Sequence, residues 1–130
     1  MEESPLPRLY REAPLNSIWE GSGNVVALDV LRAIARVPEA LARIRQEIAL
    51  CGDARVTRFA EAIRGSVPEQ DARRLAETIA LALQASLMLR FSVSGDAFCR
   101  ARLDGGSGRA FGTLADSSGF AAAVQSAYEG

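Results

Sequence analysis

Ala72-Arg73-Arg74-Leu75-Ala76-Glu77-Thr78-Ile79-Ala80-Leu81-Ala82-Leu83-Gln84-Ala85-Ser86-Leu87-Met88-Leu89-Arg90-Phe91 is the stretch that decides the fold. Leu75, Ile79, Leu83 and Leu87 recur every four residues, and Ala72, Ala76 and Ala80 widen the stripe. That spacing stacks apolar side chains along one side of a helix. Just upstream, Ser66-Val67-Pro68-Glu69 has the form of a capping box, a hydroxyl followed three residues later by a carboxylate. A helix opened there and ending near Phe91 would span on the order of 35 Å at the standard rise. It is the longest predicted element of the chain.

Toward the N-terminus, Asp53 can cap a helix that turns Val56, Phe59, Ala60 and Ile63 to one side, with Gly65 after it. Before that, Pro38 suits a first helical turn. Leu41, Ile44, Ile48 and Cys51 follow at helical spacing, and Gly52 is a natural stop. Ser22 or Asn24 can start an earlier helix with Val25, Leu28, Val30, Leu31 and Ile34 as its apolar face. Residues 1–17 hold Pro5, Pro7 and Pro14, each lacking a backbone donor, and read as an extended arm with a short turn around Arg8 to Glu12. Toward the C-terminus, a helix over Asp96 to Leu103 turns Phe98 and Cys99 inward. Asp104-Gly105-Gly106-Ser107-Gly108 breaks it, Phe111 to Ala115 is ambiguous, and alanine-rich Phe120 to Tyr128 reads as helix. No segment alternates with period two between hairpin signals. The expected fold is all-α: a bundle of five or six mostly antiparallel helices over residues 18–130, preceded by the arm.

Composition bounds the chemistry. The chain has 130 residues, 48% hydrophobic and 24% charged, enough for one domain with a real core. No apolar run approaches the roughly 18 to 20 residues that cross a bilayer. Met1-Glu2-Glu3-Ser4 lacks the layout of a signal peptide, so the cytoplasm is the expected compartment. There is no histidine. That removes every nucleophile activated by a histidine of this chain, and every metal site ligated by one; no metal is expected. Cys51 and Cys99 form no metal-binding spacing and read as small buried thiols. All fifteen basic residues are arginine, and the net charge of −1 does not favour general nucleic-acid binding.

The stretch from Pro7 to Asn24 carries more information. Glu20 follows Trp19 and precedes Gly21 and Gly23 at the mouth of a predicted helix. A carboxylate sheltered against an indole is harder to ionise and moves toward a useful general-base range. The glycines allow another molecule close to the backbone. The helix start beyond them offers free amide donors to an anionic group. From local chemistry alone, a solvated carboxylate in a glycine-rich cap is the plainer reading.

The same residues resemble the C-terminal helical domain of flavin-dependent acyl-CoA dehydrogenases. Tyr10-Arg11-Glu12-Ala13 and Ile18-Trp19-Glu20-Gly21-Ser22 are similar to that family's recurring pattern. Pro7-Arg8-Leu9-Tyr10-Arg11-Glu12-Ala13-Pro14, Asn16 to Asn24 and Leu28-Asp29-Val30-Leu31-Arg32 resemble its AidB-like, adaptive-response branch. Phe98-Cys99-Arg100 and Leu103-Asp104-Gly105 are similar more loosely. The resemblance implies that Glu20 is the catalytic base, which removes the proton next to a thioester carbonyl while hydride leaves the neighbouring carbon for the flavin. It implies that Gly21 packs against the acyl-CoA thioester, and that Ser22, Gly23 and Asn24 contact FAD. Ser22 and Asn24 stand where many relatives have threonine and glutamine, so the polarity is kept on shorter side chains.

Size sets the chain apart from that family, whose members add an N-terminal helical domain and a central β-domain. By the resemblance only the last part of such a protein is here, and its glycine-rich flavin-facing segment is missing. FAD is therefore not expected to be held by these residues alone. The expected partners are the remainder of the polypeptide or homologous subunits in a homo-oligomer. Two other readings stand beside this one. The branch implies duplex-DNA binding in DNA repair; here Arg36, Arg43, Arg45, Arg55, Arg58, Arg64, Arg73 and Arg74 interleave with Glu39, Glu47, Asp53, Glu61, Glu69 and Asp71, a pattern that also describes a solvated helix face. The other is an oligomerisation bundle without catalysis.

Overall fold

A computed structural model describes residues 6–15, 22–105 and 124–125. Six α-helices and one 3₁₀ turn are present among them, with no strand, so the fold is the expected all-α bundle. Helix α1 is Leu6–Glu12, α2 Ser22–Arg36, α3 Pro38–Ala49, α4 Ala54–Ala60, α5 Ala72–Phe91 and α6 Gly95–Arg102.

Helix α5 is the axis of the bundle: α2, α3, α4 and α6 all pack on it. Its buried side is Ala72, Leu75, Thr78, Ile79, Ala82, Ala85 and Ser86. This departs from the four-residue row read in the sequence. Each step of four residues overshoots a turn by about 40°, so the row drifts outward: Leu75 is 3% exposed and Leu87 is 43% exposed. Small residues at Ala72, Ala82 and Ala85 let neighbouring helices approach closely. The two buried hydroxyls are satisfied. Thr78 Oγ1 donates to the Arg74 carbonyl at 2.7 Å, and Ser86 Oγ donates to the Glu47 carbonyl at 3.1 Å.

The capping box does not form. Pro68 sits at ψ 154° in extended geometry, and the chain then tightens into a 3₁₀ turn over Glu69–Asp71, where Asp71 N–H donates to the Pro68 carbonyl. An extended Pro68 separates Ser66 from the first helical amides, so its hydroxyl caps nothing in α5. The other caps follow the sequence. Pro38 opens α3, Gly52 ends that segment at φ +64°, and the Asp53 carboxylate accepts from the Arg55 amide at 2.8 Å to start α4.

Two expected faces shift. In α2 the buried residues are Ala27 and Ile34, with Val30 and Leu31 partly buried against the core. Val25, two residues and about 200° from Ala27, is exposed. Residues 6–12 form a helix rather than extended arm. Pro7 lies in its first turn, where a missing donor costs nothing, and an Arg8–Glu12 pair spans one turn at 2.8 Å. No residue of α1 is buried.

Gly95 meets α5 at close range. A Cβ there would lie 2.5 Å from Leu89 Cα and 2.6 Å from the Met88 carbonyl oxygen. Only glycine lets α6 start so near α5, and this contact seats fully buried Cys99 in the core. Both cysteines are free thiols, Cys51 half-buried and Cys99 buried. Phe111 to Ala115 lies outside the described residues, as does most of Phe120 to Tyr128; within the latter, Val124 and Gln125 are helical and exposed. No helix among the described residues is long and apolar enough to cross a membrane.

Candidate functional site

The start of α2 brings together part of the residue set singled out in the sequence. Glu20 and Gly21 lie outside the described residues. Ser22 opens the helix, and Gly23 and Asn24 occupy its exposed first turn. Among the described residues, a Cβ at Gly23 would meet nothing within 4 Å.

Asn24 is not loose. Its Oδ1 accepts from Arg73 Nε at 2.6 Å, a bond between residues 49 apart that ties the first turn of α2 to the first turn of α5. Asn24, Ala27, Leu28, Glu69, Gln70, Ala72 and Arg73 line a shallow groove of about 320 Å³. Periodicity and spacing gave no sign of Arg73, because its partner is set by how α2 crosses α5. The charged residue at this position was legible only as one of a series of surface arginines.

The donor set suits one edge of a dinucleotide such as FAD. Amide hydrogens of the first helical turn, the Asn24 carboxamide nitrogen and the Arg73 guanidinium are all donors, and Gly23 leaves room for an approaching group. The residues present fit a contact surface. They do not surround a ligand, since Gly23, Asn24 and Arg73 are all exposed.

A second polar cluster joins α4 to α6. Arg55 bonds both oxygens of Asp53, at 3.1 and 2.8 Å, and reaches Asp96 at 2.8 Å. Arg100 also pairs with Asp96. The Arg55 hydrogen bonds hold the Asp53 carboxyl well below its ordinary range, to about 2, and its two carboxylate partners push the Arg55 pKa up in turn. Burial pushes the Cys99 thiol up. These groups clamp two helices together, and their perturbation has a structural cause. Elsewhere Arg58 pairs with Asp104, Arg74 with Asp71 and Arg90 with Glu47, while Arg45 donates to the Ile63 carbonyl. Many of the interleaved charges are therefore spent on one another. No group of three or more cysteine, aspartate or glutamate residues among those described could hold a metal ion.

Comparison with known proteins adds a family relationship. The chain is 76% identical over 33 residues, 25% of its length, to AidB of Escherichia coli (strain K12), a protein named for acyl-CoA dehydrogenase. It is 51% identical over 35 residues, 27% of its length, to acyl-CoA dehydrogenase family member 11 of Caenorhabditis elegans. Each match spans 6% of the relative's own length. No family model and no solved structure matches the chain. The chain is acyl-CoA dehydrogenase-like, and AidB-like, across the quarter that these matches cover.

Proposed function

We propose that this acyl-CoA dehydrogenase-like, AidB-like chain is the C-terminal helical domain of an FAD-dependent oxidoreductase acting on acyl-CoA thioesters. The observation that carries the reading is the 76% identity to AidB over 33 residues. The open, donor-rich start of α2 supports it, because that is where the motif residues Ser22, Gly23 and Asn24 fall.

In this reading Glu20 is the base that takes the proton from the carbon next to the thioester carbonyl. A carboxylate is too weak for that proton in water. It works when neighbours exclude solvent and hydrogen bonds polarise the carbonyl. Trp19 supplies an apolar wall beside it in sequence, and Gly21 leaves room for the thioester. Ser22, Gly23 and Asn24 form part of the FAD contact surface, with the α2 amides suited to its anionic groups. When bound, FAD supplies the hydride acceptor. The rest of the enclosure comes from the remaining polypeptide or from homologous subunits. Large apolar side chains await cover at the far end of α5, where Phe91 is 72% and Val93 75% exposed. Leu50 lies at the same end, since nearby Glu47 pairs with Arg90.

The test is co-expression of this chain with the missing dehydrogenase domains. A yellow complex is expected, with its flavin bleached by acyl-CoA. Glu20→Gln should keep the colour and lose the bleaching by at least a hundredfold in rate. A folded, colourless complex would overturn the reading.

A further inference from the structure

We infer that Arg73 is a positioning residue: it holds the oxygen of the Asn24 carboxamide so that the Nδ2 donor is the edge offered to the cofactor. The inference rests on the cofactor-contact reading of Asn24 given above, and it adds a residue and a polarity to it.

A guanidinium has five N–H donors and no acceptor. The Asn24 atom that meets Arg73 Nε at 2.6 Å must therefore be the carbonyl oxygen, Oδ1. The guanidinium therefore fixes which way the amide points. With Oδ1 engaged, Nδ2 and its two hydrogens are left for whatever approaches α2. A free asparagine could serve donor or acceptor equally well. Held by Arg73, with one Oδ1 lone pair taken and Nδ2 carrying both its hydrogens, it favours ligand atoms that accept: a carbonyl oxygen, a ring nitrogen, a hydroxyl or a phosphate oxygen. The groove that holds the pair carries one carboxylate, Glu69, against the one guanidinium. Its charge is balanced, so the discrimination comes from hydrogen-bond polarity rather than net attraction.

The bond also crosses between elements. Asn24 and Arg73 belong to different helices, 49 residues apart, so the orientation depends on the packing of α2 against α5. Periodicity along either helix says nothing about it.

Asn24→Asp separates the structural role from the positioning role. An aspartate keeps the partner for Arg73, and turns the bond into an ion pair, but removes the Nδ2 donor and presents an acceptor in its place. Arg73→Lys keeps a donor to Oδ1; Arg73→Ala removes it. The experiment is ¹H–¹⁵N NMR of the 130-residue chain, labelled within its co-expressed complex with the other dehydrogenase domains and titrated with FAD, with ADP and riboflavin as separate arms, reading the Asn24 side-chain amide and the Gly23 backbone amide. Thermal melting of each variant reports the fold.

FAD is expected to shift the Asn24 side-chain amide in the native chain and in Arg73→Lys. The same shift should need at least tenfold more FAD in Arg73→Ala, and FAD contact should be lost in Asn24→Asp while its melting temperature holds or rises. The ADP and riboflavin arms show which half of the cofactor supplies the acceptor. An unchanged titration in Arg73→Ala, or a Gly23 shift with the Asn24 amide unmoved, overturns the inference and leaves the cofactor reading standing. No shift at either position in the folded complex, with any of the three probes, overturns both.

Discussion

The two ends of α5 have opposite characters. At its C-terminal end α6 is pressed against the Met88–Leu89 backbone through Gly95, with no room for a single methyl group. Near there Arg55 bridges Asp53 and Asp96, and Cys99 is fully buried. At its N-terminal end Arg73 reaches across an open groove to Asn24, and a Cβ at Gly23 would meet none of the described residues. Two glycines thus do different work. One permits helix-to-helix contact inside the chain, and the other leaves a backbone edge free for something else. At one end α5 is fixed by backbone packing that admits no side chain, and at the other by a single side-chain bond across a groove.

The largest expected effect strikes the anchored end. Gly95→Ala puts a Cβ into backbone atoms that cannot yield as a flexible side chain would, and should destabilise the chain by about 3 kcal/mol. Gly23→Ala should instead be neutral or stabilise the chain by up to about 1 kcal/mol, because Gly23 is helical without a positive φ and its Cβ would meet no described neighbour. Urea unfolding midpoints of the two variants measure the difference, and equal losses would erase the contrast between the ends.

A middle-sized effect tests the clamp. Asp53 is held at about 2, below its ordinary 3.8. A depressed carboxyl stabilises the fold above its unfolded value and loses that contribution as pH falls. Stability should therefore decline between about pH 4 and pH 2. Asn at position 53 can still cap α4, so Asp53→Asn isolates the charge. It should cost about 1 kcal/mol at neutral pH, a figure reduced for the partial exposure of the pair, and should flatten the decline in acid. A wild-type curve that is flat from pH 4 to 2 would remove the clamp from the account.

The smallest effect is expected in α1. Leu9 and Tyr10 are 57% and 81% exposed, and Leu9→Ala or Tyr10→Ala should change stability of this chain by no more than about 0.5 kcal/mol. Calorimetric melting checks it. A loss above about 1 kcal/mol would mean that α1 packs on the bundle.

Much of the helix map was legible because its signals are local. Pro38, Gly52 and Asp53 act on neighbouring backbone atoms, and each acts where the sequence placed it. Ser66 failed for a reason of the same kind: the backbone at Pro68 is extended, and a cap two residues earlier cannot reach past it. Around Arg8 to Glu12 three nearby prolines point to an extended arm with a turn, whereas a first-turn proline and an Arg8–Glu12 ion pair favour helix, and helix forms. Of the candidate site, the motif located Ser22, Gly23 and Asn24 at a helix start, and the structure puts them there. Arg73 was invisible, because its significance lies in a partner on another helix.

By itself the sequence determined where helices begin and end, since caps, prolines and periodicity act within a few residues along the chain. It also carried the family resemblance of the motif around Glu20. Only the tertiary structure decided which face of each helix is buried, why Gly95 must be glycine, and which carboxylate and amide the arginines hold. The Arg55–Asp96 and Arg73–Asn24 bonds join residues 41 and 49 positions apart, and even the contact of Gly95 with Leu89, six residues away, is set by how helices cross, which no local pattern encodes.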